Sequence, residues 1–243
     1  MSFEDNYESR VIVALDFKDR KEAISMAKLF TPKLCKIKVG LELFVSCGPS
    51  IIKELNSLGY KIFLDLKFHD ITNTVIQSCI AASSLGVWML NIHSSSGKNT
   101  MVNSKINLVN NNYATLLLGV TILTSLDEND INEIGYKNDI SSQVLKMATL
   151  CNESGLDGVV CSAEEAKSIK LKFPKNFICV CPGIRKKDEE SNDQKRIITP
   201  AMAAKNGADF IVVGRPIIKS KNPLESLISI KKEFDNGLKK NEK

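Results

Sequence analysis

Short apolar runs rich in β-branched residues recur along this chain. Between them lie longer stretches in which apolar positions return every three or four residues. The short runs, at residues 11–16, 35–40, 61–67, 87–93, 115–122, 158–161, 177–181 and 210–213, predict strands. Amphipathic helices are predicted between them, among others at 21–30, 49–58, 75–85, 140–153, 163–172, 200–206 and 224–234. Strands that alternate with helices imply a parallel sheet. Eight such repeats favour closure into a (β/α)8 barrel of the TIM type, an α/β fold, although the pattern alone leaves an open doubly wound sheet as the alternative. Gly59, Gly86, Gly155 and Gly207 stand at helix-to-strand joints, where a left-handed helix cap is expected.

Composition narrows the picture. The chain has 243 residues, 43% hydrophobic, enough for one sizeable core. A barrel of ~250 residues is commonly one domain. Residues 1–243 therefore read as a single domain, with 11–235 the barrel proper and a short tail at each end. The net charge of +5 suits a small anionic substrate but is too weak to argue for nucleic acid. Several of the C-terminal lysines (Lys231, Lys232, Lys239, Lys240, Lys243) read as a solvated helix face. Seven cysteines lie scattered, most in apolar runs, with no CxxC pair, so neither a disulfide framework nor a zinc site is expected. Cys179 and Cys181 read as core packing, and Trp88 and Met89 as core or helix-facing packing. No signal-like N-terminus and no apolar run approaching ~18 residues is present, so no membrane contact is expected and the expected location is cytoplasmic.

In a barrel, reacting groups collect at the C-terminal ends of the strands. Those ends carry Asp16, Lys38, Asp65 with Lys67, His93, Thr121 to Thr124, Pro182 to Arg185, and Gly214 with Arg215. The third predicted strand is the most informative, reading Phe63-Leu64-Asp65-Leu66-Lys67-Phe68-His69-Asp70. Side chains alternate along a strand, so Asp65 and Lys67 share the inner face while Leu64, Leu66 and Phe68 pack on the helices. Lys38 projects beside them from the neighbouring strand. Alternating charges stabilise one another's ionised forms where isolated charges would be costly. A structural salt-bridge network is the bland alternative. Asp70 and Asp16 add carboxylates at the same level, which is more charge than a structural network needs.

The loops after the seventh and eighth strands, Pro182-Gly183-Ile184-Arg185 and Gly214-Arg215-Pro216, suit a phosphate group. Glycine lets backbone approach an anion, and arginine offers paired donors. The polar stretch 185–196 reads as a lid, and Gln194 within it could reach the same phosphate. His69 and His93, the only histidines, read as hydrogen-bonded structural residues rather than catalytic bases.

Together these segments resemble the orotidine 5′-phosphate decarboxylase family, in its bacterial form. The resemblance runs through Val13-Ala14-Leu15-Asp16, Lys38-Val39-Gly40, Asp65-Leu66-Lys67-Phe68-His69-Asp70-Ile71, Leu156-Asp157-Gly158-Val159-Val160-Cys161-Ser162-Ala163, Pro182-Gly183-Ile184-Arg185 and Val213-Gly214-Arg215-Pro216. It implies conversion of orotidine 5′-phosphate to UMP and carbon dioxide, the last step of de novo pyrimidine synthesis, with no metal and no cofactor. It further implies a homodimer with active sites at the interface. By that resemblance Lys67 protonates C6, Asp65 sits against the departing carboxylate, and Lys38 links the charged cluster to the ribose. Asp70 arrives from the partner subunit, as does Thr74 on the ribose side. Asp16 binds a ribose hydroxyl and Thr124 faces the pyrimidine. Arg185, Gln194, Gly214 and Arg215 hold the phosphate.

Some positions depart from the family pattern. Thr72 stands where proline is common, which implies a looser interface loop. Ser95 and Ser96 replace glycine, and Cys181 replaces threonine. Two other readings are kept. One is a magnesium-dependent sugar-phosphate lyase of the same superfamily, against which Lys38 argues by repelling a divalent cation. The other is a non-catalytic phospholigand-binding module, which predicts exposed aromatics among basic residues that the chain lacks.

Overall fold

The computed structural model describes residues 8–185 and 198–239. The strands are β1 (Val11–Ala14), β2 (Lys36–Gly40), β3 (Ile62–Phe68), β4 (Met89–His93), β5 (Leu116–Val120), β6 (Gly158–Val160), β7 (Ile178–Cys181) and β8 (Phe210–Val213). Each pairs in parallel with its sequence neighbour. Pairing of β1 with β8, Val11 to Ile211 and Val13 to Val213, closes the barrel and removes the open-sheet alternative.

Helices cover the outside. After β1 comes α1 (Arg20–Ala27); after β2, α2 (Leu41–Cys47) and α3 (Ser50–Ser57); after β3, α4 (Thr72–Ser84); and after β4, α5 (Lys98–Asn110). The second half adds α6 (Glu128–Glu133), α7 (Ile140–Glu153), α8 (Ala163–Lys172), α9 (Pro200–Lys205), α10 (Arg215–Ile218) and α11 (Pro223–Lys239). Side-chain oxygens start several of them: Asp19 caps α1, Asp139 α7, Ser162 α8 and Thr199 α9. The four joint glycines all have positive φ, from 73° at Gly155 to 90° at Gly207, as a left-handed cap requires.

Alternation along the strands sorts two cores. Val11, Val13 and Leu15 join the large outer cluster between strands and helices, whereas Ile12 and Ala14 face inward. Phe63, Met89, Leu118, Val180 and Val212 complete the inner cluster. Burial of such a side chain stabilises the fold by ~1.5–3 kcal/mol. Cys179 and Cys181 are wholly buried in the outer cluster, as the apolar pattern implied. Trp88, just before β4, packs against the inner cluster at the N-terminal end of the barrel. There the Lys36 amine sits 5.1 Å from the Trp88 ring and 5.2 Å from Phe210, and donates to the Ser9 carbonyl at 2.6 Å. Those contacts answer its burial only in part, since burial still holds the Lys36 pKa below the ordinary lysine value.

Helix α5 is not among the helices named from sequence, and its asparagine-rich composition disguises it. Asn103, Asn107 and Asn111 donate back to carbonyls four residues earlier, while Thr100, Met101, Ser104 and Leu108 form the buried stripe. At the C-terminus Lys232 and Lys239 are exposed on α11, and Lys231 pairs with Asp235 at 2.6 Å. Lys240 and Lys243 lie outside the described residues. Among the described residues no helix is long and apolar enough to cross a membrane.

Gly158 on β6 pairs with Ile178 on β7. A Cβ there would overlap the Ile178 carbonyl oxygen and stand 2.7 Å from the Ile178 nitrogen. Backbone cannot yield as a flexible side chain does. Gly158→Ala is therefore expected to destabilise the barrel by about 1–3 kcal/mol, read from the shift in a urea unfolding midpoint.

Candidate active site

The C-terminal end of the barrel opens into a cavity of about 540 Å³. Asp16, Lys38, Asp65, Lys67, Thr124, Arg185, Gly214 and Arg215 all line it. At its deep side is a chain of alternating charge. Asp16 Oδ1 stands 3.3 Å from the Lys38 amine, Lys38 stands 3.3 Å from Asp65 Oδ2, and Asp65 Oδ1 stands 2.8 Å from the Lys67 amine. The Asp65 and Lys38 side chains are only 11% and 12% exposed, whereas Asp16 is 50% exposed at the rim.

Burial on its own would raise the Asp65 pKa, but Lys38, Lys67 and the Asn91 amide reverse this and hold it down at about 2. Burial likewise opposes the charge on Lys38, yet Asp65 and Asp16 outweigh it and raise its pKa. His93 is half-buried at the end of β4. Burial, then His69, then Lys67 lower its pKa, and the two histidine rings lie 5.4 Å apart. Neither histidine lines the cavity.

Glycines make room for these charges. A Cβ at Gly40 would lie 2.8 Å from the Lys38 amine, and one at Gly214 would lie 3.2 Å from Asp16 Oδ2. At the opposite side Gly183 takes a φ of 77°, and Arg185 reaches a buried position. The Arg185 amide donates to the Ile198 carbonyl at 3.1 Å, within an Ile184–Ile198 bridge. Lys219, exposed at the rim, is a further cation that the sequence reading did not single out.

Not every expected residue reaches the cavity. Asp70 and Thr74 are exposed and do not line it; the Asp70 carboxylate accepts from the Ile71 amide at 2.6 Å. Gln194, and residues 186–196 of the expected lid, lie outside the described residues. Thr121 sits at the expected strand end, but its hydroxyl donates to the Val160 carbonyl at 2.9 Å and ties β5 to β6. Thr72, expected to leave its loop loose, pairs with the Thr100 hydroxyl at 2.9 Å and fastens α4 to α5.

Simple alternation places Asp65 and Lys67 on the correct face, but β3 is not regular there. Leu64 pairs with Leu90 and Phe68 with Ile92, so three residues of β3 oppose one of β4. Lys67 has a φ of 51°, one of two positive values among the described non-glycine residues. Asn91, wholly buried on β4, fills the irregularity: its amide donates to Asp65 at 2.8 Å and accepts from the Lys67 backbone N–H at 2.8 Å. The sequence reading missed it. The available signal was an asparagine in the otherwise apolar run Met89-Leu90-Asn91-Ile92, on the inward parity of Met89.

A family model described as orotidine 5′-phosphate decarboxylase / HUMPS family matches residues 9–230. The chain belongs to that family. A relative from Hahella chejuensis, named orotidine 5′-phosphate decarboxylase, is 46% identical over 227 residues, 93% of this chain and 97% of its own. One of the same name from Nitrosomonas eutropha is 46% identical over 231 residues, covering 95% and 99%. The crystal structure of orotidine 5′-phosphate decarboxylase from Lactobacillus acidophilus superposes with a TM-score of 0.82 at 36% identity, covering 93% of this chain and 99% of that one.

The depressed pKa of Asp65 has a defined consequence for stability. The folded state favours its ionised form, so its contribution is complete above the ordinary value of 3.8 and is lost as pH falls toward about 2. The stability difference between the parent and Asp65→Asn is thus expected to change between about pH 4 and pH 2, with the carboxylate's contribution disappearing at the acid end. Urea denaturation of both proteins across that range measures it.

Proposed function

We propose that this chain decarboxylates orotidine 5′-phosphate to UMP and carbon dioxide, the final reaction of de novo pyrimidine nucleotide synthesis. The observation that carries this reading is the Asp16–Lys38–Asp65–Lys67 charge chain along the wall of the cavity. Relatives of nearly equal length bearing that enzyme's name support it.

Heterolysis of the bond from C6 to the carboxylate leaves the electron pair on C6, where no adjacent group takes it up. The protein must therefore favour that carbanion electrostatically. In this reading the Lys67 ammonium lies beside C6, stabilises the developing anion and then donates the proton that forms the C6–H bond. Lys67 afterwards regains a proton from solvent. Asp65 faces the departing carboxylate and, with Lys38, keeps Lys67 in place. Asp16 and Lys38 engage the ribose hydroxyls, and Thr124 faces the pyrimidine. Arg215, Arg185 and the Gly214 backbone receive the phosphate, with Gln194 assigned to it from sequence alone. The phosphate lies far from the reacting bond, so its binding energy is available to order the surroundings and exclude water.

A second copy completes the site in this reading, supplying Asp70 and Thr74. The exposed setting of both residues, and of Ile71 at 74%, supports a face that meets another subunit. The magnesium-dependent alternative is weaker, because the carboxylates available for a divalent cation are already engaged by Lys38 and Lys67. A cytoplasmic setting suits the seven unpaired cysteines.

Lys67→Ala is expected to fold normally and to abolish the fall in absorbance of orotidine 5′-phosphate, whereas turnover near the parent's refutes its role. Mixing Lys67→Ala with Asp70→Ala tests the shared site, because a mixed dimer would hold one intact site. Random exchange should restore roughly a quarter of parental activity if Asp70 crosses the interface, and none if it acts within its own chain. Arg215→Ala should chiefly raise KM, by about 2 kcal/mol or more of lost binding for a charge-assisted contact. Unchanged kinetics in that variant contradict the phosphate assignment.

A further inference from the structure

We infer that Asn91 is a positioning residue that holds both Asp65 and Lys67 in the geometry the reaction requires. This rests on the decarboxylase reading above and adds a residue to it. Asn91 lies at the base of the charge chain and does not line the cavity. It acts through the two residues it binds.

Three observations converge on it. The side chain is wholly buried, and both ends of its amide are engaged, Nδ2 with Asp65 Oδ1 and Oδ1 with the Lys67 N–H, each at 2.8 Å. The partners fix its orientation, since a backbone N–H can only donate and an ionised carboxylate can only accept. It also sits opposite the point where β3 loses register, with Asp65, Leu66 and Lys67 crowded between the Leu64–Leu90 and Phe68–Ile92 pairs. The Lys67 N–H there turns to the Asn91 side chain. Finally, Lys67 is held at a φ of 51°, a conformation that L side chains rarely adopt. A hydrogen bond to its own amide is a direct means of keeping it there, and that backbone aims the ammonium at Asp65.

Asparagine is suited to this task because it donates and accepts without carrying charge. An ionised aspartate at the same position loses the donor and sets a second carboxylate against Asp65. Once protonated, the same side chain recovers one donor and one acceptor. The charged and titratable groups around the position are Asp65 and Lys67 on β3, Lys38 on β2, Asp16 after β1, and His93 with His69 beside Lys67.

The test compares the full-length parent with Asn91→Ala and Asn91→Asp. Asn91→Ala is expected to lower kcat roughly ten- to a hundredfold, the loss of one charge-assisted contact, while KM and UMP affinity stay near the parent's. In Asn91→Asp, the ratio of variant to parental kcat should rise as pH falls, whereas a packing defect independent of charge would leave it flat. The ratio also cancels changes in substrate ionisation. Independently of activity, amide hydrogen exchange at Lys67 should accelerate in Asn91→Ala. If that variant fails to fold, the near-isosteric aspartate variant and its pH ratio still decide the matter. A kcat within twofold of the parent's, a pH-independent ratio, or unchanged exchange at Lys67 overturns the inference. If the parent does not turn over orotidine 5′-phosphate, the decarboxylase reading fails instead, while the exchange result still reports on the Asn91 contact.

Discussion

A carboxylate that is almost wholly buried must be answered on all sides, and Asp65 sets that demand for the whole mouth of this barrel. One of its oxygens takes the Lys67 amine and the Asn91 amide, and the other takes Lys38. Removing any one partner leaves a desolvated charge short of a bond, which costs far more than a surface contact does. The site is therefore cooperative in its structure before any substrate arrives. Lys38 cannot move toward Asp16 without loosening Asp65, and Lys67 cannot turn away without exposing the same oxygen.

The fold bends to that demand. Glycine stands at positions 40 and 214, where a Cβ would press on the Lys38 amine or the Asp16 carboxylate. Strand β3 gives up its register over Asp65 to Lys67, and Lys67 takes a left-handed backbone. Regular sheet would carry its ladder through these residues; here a side chain from β4 takes over part of it. Among the described strands the register shifts at this one place, while the remaining strand pairings run without such a shift. Such a distribution is expected where geometry serves chemistry.

Much of this was legible in the chain because it depends on local periodicity. The eight strands follow from short apolar runs between amphipathic stretches, and the inward face of Asp65 and Lys67 from period-two alternation, whereas closure of the barrel rests on the β1–β8 pairing. Two kinds of feature escaped. Helix α5 is built from asparagines that favour loops in isolation, and its stability comes from the stripe of Met101, Ser104 and Leu108 against the barrel. Asn91 and Lys36 are polar residues inside apolar runs, and their partners are far away in sequence. Asn91 meets residues 26 and 24 positions back, and Lys36 meets one 27 positions back. Periodicity marks such a residue as inward-facing but cannot say which group will satisfy it.

The proposed division of the charged cluster between two copies is compatible with the same electrostatics. Asp65 already uses the cations within its reach, and Lys67, 29% exposed, is the only one of the pair with a face left toward solvent. A second carboxylate drawn in from the same chain would have to bend the segment after β3 back over a strand end that is already irregular. Asp70 instead stays outside, where it accepts from the neighbouring Ile71 amide, beside an exposed apolar side chain. In the proposed dimer the carboxylate of one copy meets the lysine of the other, so each chain folds without crowding like charges. The full alternation of sign then appears only on assembly, where burial of the interface strengthens every pair within it.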